Sequence, residues 1–329
     1  MEELKSYYRY RSFSNYSRDA LLQEQLWASC STTFNDPYDT ALFYDTERIA
    51  KDIINWSDED KEKAGRFLQK QQCQRSDGSD LFDGKHINDL FHRIEKFGDW
   101  YVTTPLQSKF LIVCLSQSFK DEMMWAHYAN NGTGFVLKYN SMDIVDVFDS
   151  YLNNTKDKIV KDSEFSSALE EKNHLFGINT VEYTNNHANG TELYENLIRS
   201  GNDAFHSLTS DQISNFLASD TARRMVLTKS KCWSKEKEYR IVLPNVNNKN
   251  YENIGNIVPT AIYLGEKVSH SDRYFAMCYC KTKNIPLYRM KRNLNTKEQG
   301  LKAVKYPKEY IEDIVNNPKA IGTIEVYQF

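Results

Sequence analysis

Apolar and polar positions alternate with a period of two near both ends of the chain, while helical spacing dominates the stretches between. Residues 4–12 place Tyr8 and Tyr10 on one side and Tyr7, Arg9 and Arg11 on the other, which predicts an opening strand. A short helix over about residues 17–25 leads into the apolar stretch "LWASC", and "FNDPYD" (34–39) has the composition of a turn. Residues 45–100 read as helices broken by one polar loop, "QRSDGSDLFDGK". Ser57 and Asp60 have capping-box spacing before a helix that reaches about Gln72, and His86–Phe97 is amphipathic. Lys109–Ser116 is a continuous apolar run of the kind a buried strand carries. A helix over Asp121–Asn130, an "NGTG" turn and a "FVLKY" strand follow. Residues 141–232 are mostly helical in pattern, apart from "INTVEY". The last hundred residues hold a strand at 236–243, "VPTAIYLG", a helix near 271–283, "IPLYRM" and "TIEVYQF".

Strands at both ends with helices between them predict an α+β fold. Its central sheet, mixed or antiparallel, is shared by the two ends and interrupted by a helical insertion. No linker rich in Gly, Pro or Ser divides the chain. The expectation is one domain over 1–329, with helical subregions at about 45–105 and 141–232.

Composition changes this picture little. Of 329 residues, 40% are hydrophobic and 26% charged, ordinary for a globular protein. A net charge of −3 excludes nucleic-acid binding by bulk charge while leaving room for a local basic patch. The longest apolar runs, such as "FLIVCL", are too short for a bilayer, and "MEELKSYYRYRS" carries no apolar signal segment. The expectation is therefore a cytoplasmic protein without membrane contact, its six cysteines reduced. Oligomeric state cannot be read from the sequence.

Several chemistries are missing: there is no phosphate loop, no GxGxxG, no GxSxG and no HExxH. Cys278 and Cys280 form the one close cysteine pair, with no second pair at zinc spacing, so no metal site is expected. Four segments carry candidate chemistry. They are "YYRYRS" (7–12), "LWASCSTTFNDPYD" (26–39), "MMWAHYANNGTGFVLKY" (123–139) and "KCWSKEKEYRIVLP" (231–244). In the last, strand alternation sets Glu236, Glu238 and Arg240 on one face and Tyr239, Ile241 and Leu243 on the other. The apolar face belongs to a core. The charged face is either a solvated ladder of ion pairs, worth little stability, or the floor of a reaction site. Trp125 and Tyr128, at i and i+3, serve a core as readily as a ligand platform.

These four segments, in this order, resemble the bacterial family known as domain of unknown function 2971. The matching motifs are Tyr8–Ser12, Leu26-Trp27 through Pro37, Trp125–Gly134 and Trp233–Arg240, so the likeness spans about residues 7–265. A looser resemblance is to NAD-dependent ADP-ribosyltransferases, through an opening Tyr-Arg-Tyr strand, a Ser/Thr strand and a late E-x-E element. Cys30 interrupts the hydroxyl run, and the "NDPYD" turn lies outside that second pattern.

The second resemblance implies an ADP-ribosyltransferase-like fold with NAD as substrate, transferred or hydrolysed. It would place Glu238 at the cationic ribose of the transition state and Glu236 at the acceptor. Arg9, or Arg11, would hold the pyrophosphate. Ser29, Ser31 and Thr32 would form the Ser/Thr element, and Tyr10 or Tyr128 would stack on a ring. The acceptor is open: protein, nucleic acid, a small molecule or water. A toxin or phage-defence role fits such chemistry. Two other classes stand beside it. One is a metal-dependent nuclease or phosphoesterase using Asp36, Asp39, Glu236 and Glu238; the other is a non-catalytic sensor or binding module.

Overall fold

The computed structural model describes residues 5–69, 94, 98, 102–165, 175–200, 208–294 and 300–317. Among them the chain forms fourteen strands: β1 (Ser6–Arg11), β2 (Gln25–Cys30), β3 (Leu42–Phe43), β4 (Phe110–Ser116), β5 (Phe135–Asn140), β6 (Gly177–Thr180), β7 (Glu182–Tyr183), β8 (Ala188–Asn189), β9 (Thr228–Lys229), β10 (Glu238–Pro244), β11 (Tyr251–Asn256), β12 (Ala261–Leu264), β13 (Leu287–Arg292) and β14 (Leu301–Lys305). Ten of them build one large sheet in the order β11-β2-β4-β1-β5-β12-β13-β14, with β10 and then β6 branching from β4. All its pairings are antiparallel except β12 with β13, so the protein is α+β with a mixed, mostly antiparallel sheet. β3–β8 and β7–β9 are small parallel pairs outside it.

Both faces of the sheet are covered. On one, Ile112 and Val242 pack under helices Thr46–Ile54, Thr191–Ser200, Ser210–Leu217 and Asp220–Leu227. On the other, Leu111, Val113, Tyr239, Ile241 and Leu243 join a core closed by helices His270–Lys283 and Lys308–Asn316. This two-sided burial explains why β4 reads as an unbroken apolar run.

The sheet divides at β4. One edge of β4 pairs with β10 from Phe110 to Ser116. The other edge is shared by two strands: β2 meets it at Leu111 and Ile112, and β1 touches it at Ser116. Between those contacts Val113–Leu115 keep β10 on one side and have no strand partner on the other among the described residues. β1 and β2 thus splay apart and leave a cleft.

Several expected elements differ in extent. The helix after β1 is Asn15–Leu22, so that Gln25 already belongs to β2. The helix before "NGTG" stops at His127, because Asn130, Asn131 and Gly132 all take positive φ. Gly134 is required there: a Cβ would sit 2.2 Å from the Arg11 carbonyl oxygen, the closest approach at the end of β1. The Ser57 hydroxyl accepts from the Asp60 N–H at 3.1 Å and starts the helix Asp58–Gln69. Of the predicted helix His86–Phe97 only Ile94 is described, and it is helical; the "TIEVYQF" strand lies outside the described residues. β11, β14 and the helix Lys308–Asn316 were not predicted.

The charged strand needs the main correction. Glu236 is not on it. Lys231–Glu236 is a 3-10 turn, Lys237 is left-handed with φ 45°, and β10 begins at Glu238. A non-glycine residue is strained in that conformation. It is held by the Gln117 N–H, which donates to the Lys237 carbonyl at 3.1 Å. Nor is the charged face solvated. Glu236 and Glu238 are each 5% exposed and Arg240 is fully buried, so the surface-ladder expectation fails.

Candidate functional site

The cleft is a cavity of about 290 Å³ over the divided part of the sheet. Its floor includes Ile112, Cys114 and Ser116 of β4, its walls include Arg9 and Arg11 of β1 and Ser29 of β2, and the carboxylates Asp39, Glu236 and Glu238 close one side. Each carboxylate arrives by a different local device. The Asp36 carboxylate accepts from the Tyr38 N–H at 2.9 Å, tightening the "NDPYD" turn that delivers Asp39. The 3-10 turn delivers Glu236, whose carbonyl accepts from the Ser116 hydroxyl at 2.7 Å. The N–H of Glu238, at the start of β10, donates to the Tyr183 hydroxyl at 2.8 Å.

Two cations bind these carboxylates together. The Arg240 guanidinium donates through Nε to Glu238 Oε1 at 2.8 Å, through Nη2 to Asp39 Oδ2 at 2.7 Å, and through Nη1 to the Val226 carbonyl at 2.6 Å. The Lys229 ammonium lies 2.7 Å from Glu236 Oε2, 3.2 Å from Glu238 Oε2 and 3.4 Å from Asp39 Oδ2. Three carboxylates against two cations leave one formal negative charge in a buried site. Every one of the five groups must keep its partners there, since a buried charge left alone is costly.

The two glutamates have been driven apart. Burial pushes the Glu236 carboxyl above its ordinary range; Lys229 pulls it back, and the neighbouring Glu238 charge pushes it further up. Burial acts on Glu238 too, but Arg240 and Lys229 outweigh it and lower that carboxyl to about 2. Glu238 is thus held as the anion while the Glu236 carboxyl is shifted toward its protonated form, the pattern that separates acid–base roles. Glu236 Oε1 also accepts from the Tyr128 hydroxyl at 2.7 Å. Cys114 opens onto the cavity, yet burial of its surroundings and the Glu238 charge push its thiol well above the usual range. It is a neutral thiol and not a ready nucleophile.

The opposite wall is cationic. Arg9 is nine-tenths buried, donates through Nη2 to the Trp27 carbonyl at 2.6 Å, and makes no ion pair among the described residues. Arg11, half-buried, has no acidic partner there either. Burial, reinforced for Arg9 by the Arg11 charge, pulls both guanidiniums below their ordinary value, although both stay cationic at neutral pH. Two desolvated guanidiniums without a carboxylate form a place for an anion.

The structure brings together most of the residues proposed from sequence. Arg9, Tyr10, Arg11, Ser29, Tyr128, Glu236 and Glu238 all line the cavity. Tyr10 is held edge-on against Trp125, with its hydroxyl donating to the Ser118 carbonyl at 2.9 Å, so its ring is committed to packing. Trp125 is likewise structural, its indole N–H donating to the Phe119 carbonyl at 2.8 Å. Ser31 and Thr32 do not line the cavity. The 3-10 turn Ser31–Thr33 points the Ser31 hydroxyl at the Gln107 carbonyl, 2.8 Å away, and the Thr32 hydroxyl at Cys30 Sγ, 3.2 Å away. Thr33 faces the cleft instead. Asp36 stays in its own turn and does not join Asp39.

Sequence reasoning missed Lys229, the centre of the cluster, and placed Asp39 only among metal ligands. One signal was available for Lys229. It stands two residues past the end of the amphipathic helix Asp220–Leu227, whose apolar residues 225–227 carry the chain inward.

Comparison with known proteins gives one match. Residues 124–241 match the model of a family described as "Protein of unknown function (DUF2971)". That span contains Tyr128, Lys229, Glu236, Glu238 and Arg240, but neither the arginine wall nor the Asp39 turn. No curated protein and no solved structure matches the chain, so the ADP-ribosyltransferase-like part of the fold expectation rests on motifs alone. No helix among the described residues is long and apolar enough to cross a membrane.

Proposed function

We propose that the cleft is the active site of an enzyme that breaks the N-glycosidic bond of a nucleotide, with NAD as the substrate, passing ADP-ribose to an acceptor or to water. The observation that carries this reading is the polarity of this cavity. Two arginines with no ion pair among the described residues form one wall, and a formally net-anionic cluster containing two differently tuned glutamates forms another. The pyrophosphate pairs with Arg9 and Arg11. The positive charge that develops on the ribose as nicotinamide leaves faces the carboxylate cluster. Glu238, locked by Arg240 and Lys229, keeps that field constant. Glu236, whose carboxyl holds a proton more readily, takes the proton of the incoming hydroxyl or amine.

The same carboxylates could serve a metal-dependent phosphoesterase. Against that reading, the Lys229 ammonium already stands among all three, within 3.4 Å of each, and supplies the countercharge a divalent ion would bring.

The test is nicotinamide release from NAD by the wild type, Glu236→Gln and Glu238→Gln, each with and without EDTA. Release that EDTA spares, and that Glu236→Gln lowers by roughly 10²–10⁴-fold, is the expected result. Full activity in Glu236→Gln, or loss on chelation, overturns the reading.

A further inference from the structure

The rim beside Glu236 differs in charge from the protein as a whole. On the turn Lys231–Lys237 the exposed charged side chains are Lys231, Lys235 and Lys237, three cations and no exposed anion, in a chain of net charge −3. The acids that would balance the lysines in sequence, Glu236 and Glu238, are buried in the cluster and do not reach the surface. The strained residue between them, Lys237 at φ 45°, is itself exposed. None of these three lysines makes an ion pair among the described residues. The two elements packed on this turn, helix Glu122–His127 and β7, add the exposed carboxylates Glu122 and Glu182. The excess stays cationic.

Aromatic surface accompanies the charge. Trp233 sits in the middle of the turn, half-buried, with the exposed His127 ring edge-on to it at 5.6 Å and the Lys229 ammonium 5.3 Å from its ring centre. His127 adjoins Tyr128, which lines the cavity and donates to Glu236. Cations beside an exposed imidazole and a half-buried indole, leading to a reaction site, suit a chain of phosphates carrying stackable bases. An acidic peptide uses the charge and has no need of the rings.

We propose that the turn Lys231–Lys237, with Trp233 and His127, is a docking surface for single-stranded nucleic acid, which it presents to Glu236. The inference rests on the reading of the cleft as an ADP-ribosyl-transferring site and names the class of its acceptor.

The experiment is anisotropy of a fluorescein-labelled single-stranded oligodeoxynucleotide titrated with the full chain over a range of salt concentrations. The variant Lys231→Gln/Lys235→Gln is compared with Lys156→Gln/Lys161→Gln, an equal charge change at exposed positions of helix Ser141–Lys161. The expected result is wild-type binding that weakens about tenfold in the rim variant and little in the control. The slope of log affinity against log salt falls by about 1.4, two contacts at roughly 0.7 each. Trp233→Ala weakens binding with the salt slope unchanged. No binding at low salt, equal losses in both double variants, or displacement by polyglutamate as effective as by unlabelled oligonucleotide overturns the proposal. Nicotinamide release by the rim variant, measured in the same preparations, separates the two ideas. If the wild type and the rim variant both cleave NAD but the wild type does not bind the oligonucleotide, the docking surface fails while the cleft reading stands. If neither cleaves NAD, the cleft reading fails on its own evidence.

Discussion

On one side of β10, Tyr239, Ile241 and Leu243 lie in an apolar core, while on the other Glu238 and Arg240 are buried just as deeply and held by charge. Both sides are buried, yet they tolerate change differently. The apolar side is held by many small contacts, so that loss of a methyl group is absorbed locally. The charged side has few, strong and mutually dependent contacts. Arg240 alone binds Glu238, Asp39 and the Val226 carbonyl, joining residues as far apart as 39 and 240.

The comparison breaks most sharply at Arg240. Replacing it by Leu leaves Glu238 and Asp39 buried with only Lys229 between them, and we expect a loss of about 3–5 kcal/mol. Ile241→Val, the next residue but on the apolar side, is expected to cost roughly 1 kcal/mol. Urea unfolding of both variants at neutral pH checks this. Similar midpoints for the two would show that the charged face contributes no more than its apolar counterpart.

A smaller effect separates the faces by pH. The Glu238 carboxyl is lowered from an ordinary 4.5 to about 2 on folding. Its stabilising contribution is therefore complete above about 4.5 and disappears as pH falls through 2. The difference corresponds to about 3 kcal/mol at full ionisation. Glu236 has the opposite sign: with its carboxyl raised, it favours the folded state when protonated, and that contribution fades as pH rises through its folded value. The apolar face titrates nowhere. Acid unfolding followed by circular dichroism should show the wild-type advantage over Glu238→Gln vanishing between pH 4.5 and 2. A difference that persists at pH 2 removes the linkage.

The same contrast governs what could be read from sequence. Alternation in "EYRIVL" is enough to send Tyr239, Ile241 and Leu243 to a core, because that outcome depends on local pattern and solvent alone. The continuous apolar run of β4 and the Asn-Gly turn before β5 are legible for similar reasons. The burial of Glu238 and Arg240 was not. It depends on Asp39, which arrives from a turn 201 positions away, and on Lys229, which sits in a polar stretch that resembles surface. Glu236 reached the site by a route the pattern hid. Strand alternation predicted a shared face, whereas a left-handed Lys237 and a common ammonium produce it. β11 escaped notice because "YENIGN" is polar and broken by an irregularity between Asn253 and Asn256. The cleft had no local signature, since it arises where β1 and β2 part company along a third strand.

The smallest expected effect sharpens the distinction within the charged face, between the anion that is locked and the one that titrates. Tyr128→Phe removes one hydroxyl, at 2.7 Å from Glu236 Oε1, and leaves the Arg240 and Lys229 bonds to Glu238 intact. Its stability cost is about 1 kcal/mol, the net worth of one partly exposed hydrogen bond. Its electrostatic consequence is more specific. The Tyr128 hydroxyl lowers the Glu236 carboxyl by donating to its ionised form, so its loss moves that carboxyl further up. Carbon-13 chemical shifts of the glutamate carboxyls across a pH titration should show Glu236 moving upward while Glu238 stays near 2. If both move together, the two carboxylates titrate as one unit, and separate roles cannot be assigned to them.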